Sequence, residues 1–143
     1  VRVTAGNRTR IAGERGGRSM VRNLLLVGAG GFVGAVCRYL IGGMVLHHTT
    51  AWKFPMATFV VNTSGCLVAG VLMALSTRHD AFSPELRLLL FTGLLGGFTT
   101  LSAFGVETVY LIQRHQALWA GLNVVGTITA AVGVLWLAVS VIR

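Results

Sequence analysis

Charge is what this sequence has least of. Asp, Glu, Lys and Arg make up 11% of its 143 residues, where a soluble domain carries roughly a quarter. That excludes an ordinary water-facing surface, and the length excludes more than one domain. Carboxylates are scarcest, confined to Glu14, Asp80, Glu85 and Glu107. Cys37 and Cys66 stand apart, with no CxxC or Cys/His cluster, so nothing supports a zinc site. They read as small apolar residues, with a disulfide between them left open. The absence of a nucleophile–base pair, a metal cluster and a Walker sequence argues against an enzyme. Gly28-Ala29-Gly30-Gly31-Phe32-Val33-Gly34 approaches a dinucleotide fingerprint, but Val33 stands where GxGxxG needs its last glycine. No βαβ pattern follows either, so these glycines read as a helix-packing cluster.

What is present is apolar residues in long blocks. Phe54 to Thr77, Leu88 to Val106 and Gln116 to Ile142 contain no Asp, Glu, Lys or Arg. About 20 apolar residues suffice for a helix to cross the hydrocarbon layer. A further block, about 24–46, holds one charge, Arg38. The sequence therefore predicts an all-α membrane protein of four transmembrane helices, about 24–46, 55–76, 88–112 and 117–142. A cleaved signal peptide is the alternative for the first block, but the run is long and no small-residue cleavage site precedes a soluble domain.

The net charge of +8 invites a nucleic-acid partner, but its placement points elsewhere. Arg2, Arg8, Arg10, Arg15 and Arg18 against Glu14 crowd residues 1–19. This polar, Gly-rich leader is expected to be disordered, and Met20 is a plausible true start, leaving residues 20–143 as the membrane domain. A basic arm of this kind suits anionic lipid rather than nucleic acid. Without it, Arg22, Arg78, Arg87 and Arg143 oppose Lys53 and Arg114, a weak positive-inside bias that suits insertion in both orientations. With it, the N-terminus is fixed in the cytoplasm. Gly30/Gly34, Gly93/Gly97 and Gly121 with Gly126 sit at spacings that let helices approach closely, within one subunit or between two.

Polar groups at membrane depth are costly and mark function or a partnered contact. In the second span Thr58, Asn62 and Gly65 share a helical face. The amide of Asn62 suits an anion or an interhelical hydrogen bond. The third span runs Gly93-Leu94-Leu95-Gly96-Gly97-Phe98-Thr99-Thr100-Leu101-Ser102-Ala103-Phe104. Glycine and hydroxyl residues weaken a helix, which reads either as a kink or as a break whose freed carbonyls hold a hard cation. Leu101, Phe104 and Glu107 roughly share a face, and a ring edge at Phe104 can meet a small anion. Asn123 and Thr127 extend a polar track in the fourth span, while Glu107 reads as interfacial.

Three ordered segments resemble one family. Gly34-Ala35-Val36-Cys37-Arg38-Tyr39 is similar to the GAxxRY signature of the Fluc/CrcB fluoride channels. Pro55 to Gly65 resembles their PxGTLxVNxxG, and Gly93 to Phe104 resembles GxxGGxTTFSTF. The resemblance runs from about Met20 to Arg143. It implies a third helix broken near the bilayer centre and an antiparallel dual-topology dimer in the plasma (inner) membrane. It also implies two fluoride pores and a central structural sodium ion, with fluoride exported down its electrochemical gradient. Asn62 would donate to fluoride, and Phe104 would present its ring edge. Ser102 and Thr127 would add hydroxyls, with Asn123 further along the track. The carbonyls of Gly96 and Thr99 would face sodium. Arg38 would sit at a vestibule or support the fold, and Glu107 would lie near a pore mouth.

Two departures from these patterns matter, while Ala57 for glycine and Phe59 for leucine in the second are conservative. In the third, Leu101 replaces the first phenylalanine, and Ala103 the following threonine. Leucine has no positive ring edge, so either Phe104 suffices in a homodimer or the chain pairs with a paralogous subunit. Two other functions compete with the channel. A small four-span proton-coupled multidrug exporter needs an embedded carboxylate, ordinarily in the first span, where this chain has only Arg38. A non-transporting membrane scaffold would leave Asn62 and the third-span segment as packing.

Overall fold

The computed structural model describes residues 5–79 and 82–142, with side chains for residues 19–77 and 82–142. Residues 1–18 of the basic leader, and with them the expectation of disorder, lie outside the residues described with side chains. Helices dominate: α1 (Ala5–Thr49), α2 (Met56–His79), the short α3 (Pro84–Arg87), a π-helical segment (Leu88–Leu95), α4 (Gly96–Phe98), α5 (Leu101–Gln113) and α6 (Ala117–Ile142). Among the described residues four stretches are long and apolar enough to cross a membrane: Ser19–Thr49, Met56–Thr77, Pro84–Gln113 and Ala117–Ile142. The third of these is a composite, assembled from α3, the π segment, α4 and α5. The chain is an all-helical, multi-pass membrane protein.

Local chemistry sets the ends of the third stretch. Ser83 caps α3 by accepting from the Leu86 amide at 3.2 Å, with Pro84 as its first helical residue, where a missing N–H costs nothing. Arg22 of α1 donates to Glu85 at 2.6 Å, which places the start of the first span beside that of the third. Between α5 and α6 the chain reverses over Arg114, His115 and Gln116. His115 takes a positive φ of 57°, and the amides of His115 and Gln116 bond back to Ile112 and Leu111 at 2.9 Å, closing the end of α5.

Packing follows two pairings. α1 lies on the π segment and α4, while α2 lies on α6, which also meets α5. Glycine makes the first pairing possible. A Cβ on Gly30 would lie 2.5 Å from the Leu89 carbonyl oxygen, and one on Gly93 would lie 3.0 Å from the Gly30 Cα. Gly34 and Gly97 sit equally close, against Leu94 and Gly31. The two backbones therefore touch directly, the arrangement that packs helices where water supplies no driving force. Gly121 and Gly126 behave otherwise, because a Cβ at either meets open space within the subunit.

The interior is small and partly polar. Val61 and Ala74 are 2% and 0% exposed, and Thr58, Ser76, Asn123 and Thr127 are buried beside them. Large apolar side chains such as Phe32, Leu118 and Trp136 point outward, as a hydrocarbon solvent permits.

Gly34→Val is expected to cost about 3 kcal/mol, since the new side chain has only backbone to push against. Gly133→Ala, which meets open space, is expected to be neutral or to gain up to about 1 kcal/mol of helix propensity. Unfolding of the two variants in detergent, followed by circular dichroism, checks the contrast.

Candidate functional site

The π segment ends at Leu95, and α4 adds only Gly96, Gly97 and Phe98 before the helix stops. Thr99 and Thr100 are extended, at φ −80°, ψ 154° and φ −146°, ψ 113°. Thr100 then caps α5, its hydroxyl accepting from the Ala103 amide at 3.3 Å. This is ordinary hydroxyl capping chemistry, set in the middle of an apolar stretch where freed backbone groups need partners.

Asn62 of α2 supplies two of those partners. Its Oδ1 accepts from the Thr100 amide at 2.8 Å, and its Nδ2 donates to the Thr100 carbonyl at 3.1 Å. The side-chain amide thus pairs with one peptide unit as a neighbouring strand would. Gly65, on the same face, leaves room for the break, because a Cβ there would lie 2.5 Å from the Thr99 Cγ2. From the other side Arg38 of α1 donates through Nε to the Gly97 carbonyl at 3.1 Å.

These contacts leave particular carbonyls without helical partners. The amides four residues beyond Gly96 and Thr99 belong to Thr100 and Ala103, which bond to Asn62 Oδ1 and Thr100 Oγ1 instead. The Thr99 amide and hydroxyl both return to the Leu95 carbonyl at 2.9 Å.

A second polar cluster joins α5 to α6. Asn123, 0% exposed, donates to the Thr108 hydroxyl at 2.8 Å and accepts from the Thr127 hydroxyl at 3.2 Å. Thr108 in turn donates to the Phe104 carbonyl at 2.7 Å. On α2, Thr58 donates to Glu107 Oε1 at 2.6 Å, while Glu107 Oε2 is buried with no partner.

A groove of about 290 Å³ runs beside the break. Among its lining residues are Asn62, Thr99, Leu101, Phe104 and Thr127, together with Cys66. The groove is open on one side, and there Leu101 is 80% exposed. Four of the six residues expected to line a pore therefore meet. Ser102 is exposed beside the groove, within 3.2 Å of the Thr100 hydroxyl. Asn123 stands behind the wall, its amide engaged by Thr108 and Thr127. Arg38 holds backbone rather than facing the groove, and Glu107 opens toward a separate pocket at the end of α5.

Sequence reasoning missed two residues. Thr100 is the hinge that Asn62 grips, and its signal was the hydroxyl three residues before Ala103, a capping spacing. Thr108 bonds a residue 15 positions away, for which no local signal exists. Both cysteines are free, and no group of three metal-ligating side chains occurs among the described residues.

The family model described as CrcB-like protein, Camphor Resistance (CrcB), matches residues 25–139. The chain belongs to the CrcB family. A CrcB relative from Methylobacillus flagellatus, named fluoride-specific ion channel FluC, is 41% identical over 84% of this chain and 94% of its own length. One of the same name from Chlorobaculum tepidum is 44% identical over 82% and 91%. Another from Methanosarcina acetivorans, named fluoride-specific ion channel FluC 1, is 40% identical over 80% and 86%. The CrcB match takes in the break, Asn62 and every groove residue.

Asn62→Leu removes both hydrogen bonds to Thr100 and strands its peptide unit. A loss of about 2–4 kcal/mol is expected, read as a lower unfolding midpoint in detergent. A midpoint equal to that of the parent protein would mean that the clamp does not hold the break.

Proposed function

We propose that this protein is a subunit of a fluoride-selective channel in the plasma membrane, carrying fluoride out of the cytoplasm down its electrochemical gradient. The observation that carries the reading is the groove itself. It brings Asn62, Phe104 and Thr127 to one open wall beside a helix break, in a chain whose relatives carry the name fluoride-specific ion channel.

Fluoride is small and strongly hydrated, so a pore must replace its water with closely placed donors. The Asn62 amide has two N–H donors. One goes to Thr100, and the other is available to an anion. The positive edge of the Phe104 ring adds a weaker contact. None of these is a fixed cation that would trap the ion, which suits passage between weak sites. Thr127 already donates to Asn123, so its part is to orient that amide at the groove wall.

One side of the groove lacks a wall, and a second copy packed antiparallel supplies it and completes the pore. Such a dimer sets the break near the bilayer centre. The freed carbonyls of Gly96 and Thr99 fit a sodium ion, whose hard charge takes oxygen ligands, and a two-fold axis doubles their number. Such an ion would give these carbonyls the partners that the break denies them. Arg38 and Asn62 hold the same backbone from either side.

Purified protein in proteoliposomes is expected to release fluoride and exclude chloride. Asn62→Asp is expected to reduce fluoride release by more than tenfold, because a carboxylate repels the anion. Leu101→Phe adds a ring edge at the exposed wall and is expected to raise the rate. Fluoride release that needs a paralogous subunit would replace the homodimer with a heterodimer, and folded protein inert in either setting would overturn the channel reading.

A further inference from the structure

A second pocket, of about 230 Å³, opens at the end of the molecule where α1 passes to α2 and α5 turns to α6. Lys53 contributes from the first of these connections and Arg114 from the second. Arg114 is held by its own neighbour, its guanidinium carbon 4.3 Å above the Tyr110 ring, a cation–π contact that fixes its position. Glu107 also lines this pocket. Its Oε1 takes the Thr58 hydroxyl, and its Oε2 is buried and unpartnered. Among the described residues Glu107 has no ion pair, and neither Lys53 nor Arg114 meets a carboxylate.

The pocket lies next to the groove along two helices. On α2, Thr58 stands one turn before Asn62. On α5, Glu107 stands three residues after Phe104. The steps are about 6 Å and about 4.5 Å along the helix axes. The contact that touches the pocket, Thr58 with Glu107, therefore stands one turn from the residues that line the groove.

We infer that this pocket is an anion-collecting antechamber to the groove, with Lys53 and Arg114 supplying its field. The inference rests on the channel reading. Two cations against one carboxylate leave the pocket net positive. Low-dielectric walls around such a cleft focus the field and raise the local concentration and arrival rate of anions by about 10 to 10³-fold. Glu107 offsets part of that charge next to the groove, so a small anion is drawn in without being trapped. The anion concerned is any small monovalent one, and selection falls to the groove.

Electrostatic collection has a signature that packing lacks, because salt removes it. The screening length falls from about 30 Å at 0.01 M to about 3 Å at 1 M. Fluoride efflux from proteoliposomes should be compared at these two ionic strengths, set with an impermeant salt. The Lys53→Gln/Arg114→Gln double variant is expected to run about three- to tenfold slower than the parent protein at low salt and to converge with it at high salt. Lys53→Arg, which keeps the charge, is expected to match the parent at both. Lys53→Gln alone, on an exposed connection, is expected to show the same convergence at a smaller size, which covers failure of the double variant to fold. A low-salt rate equal to the parent's, or a deficit undiminished at 1 M, overturns the antechamber while leaving the channel intact. A parent protein that conducts no fluoride overturns the channel reading, and the antechamber with it.

Discussion

Everything distinctive about this molecule depends on one side chain substituting for a strand. Asn62 pairs with both the N–H and the C=O of Thr100, and so makes an extended peptide tolerable inside an apolar span. In water those groups would find solvent, whereas in hydrocarbon an unpaired peptide costs several kcal/mol. The clamp therefore sets where the helix stops. It also decides which carbonyls lose their helical partners and where the capped start of α5 begins. Gly65 makes the clamp sterically possible, and Arg38 secures the preceding turn through the Gly97 carbonyl.

A second consequence is an inversion of the usual interior. Only a handful of apolar residues are fully buried, while Thr58, Asn123 and Thr127 are enclosed and bonded to one another or to Glu107. Hydroxyl and amide side chains join α2 to α5 and α5 to α6, and direct glycine contact joins α1 to the third span. Two different solutions to packing without water thus operate in one small bundle. Of these polar residues, Asn62 and Thr127 also line the groove.

The four spans were legible in the sequence because each is a long apolar block with at most one charge, Arg38 in the first and Glu107 in the third, and a block of that length has one structural meaning. Asn62 and the Gly96 to Thr100 segment stood out for the same reason, as polar or weakly helical residues where neither is cheap. The pairing between them was not legible, since it joins positions 38 residues apart. A lone asparagine reads first as an interhelical clamp and second as a ligand, and here its carbonyl oxygen and one amide N–H both go to the clamp. Asn123 shows the limit more sharply. Its i, i+4 spacing to Thr127 suggested one continuous polar track, but Thr108 draws it behind the wall. Likewise the three glycine pairs looked alike in sequence, and only two of them meet a neighbour within the chain.

The π-helical turn ahead of the break sets how the chain beyond it is oriented. Its wider winding, Leu88–Leu95, accommodates more residues per turn than an α-helix. Were that stretch to wind as an α-helix with every residue kept, everything after it would swing by about 100°. Gly97 would then face away from Arg38, and Thr100 away from Asn62. The spacing between the Ser83 cap and the Asn62 clamp is therefore a counted distance, and the π turn keeps both ends in phase.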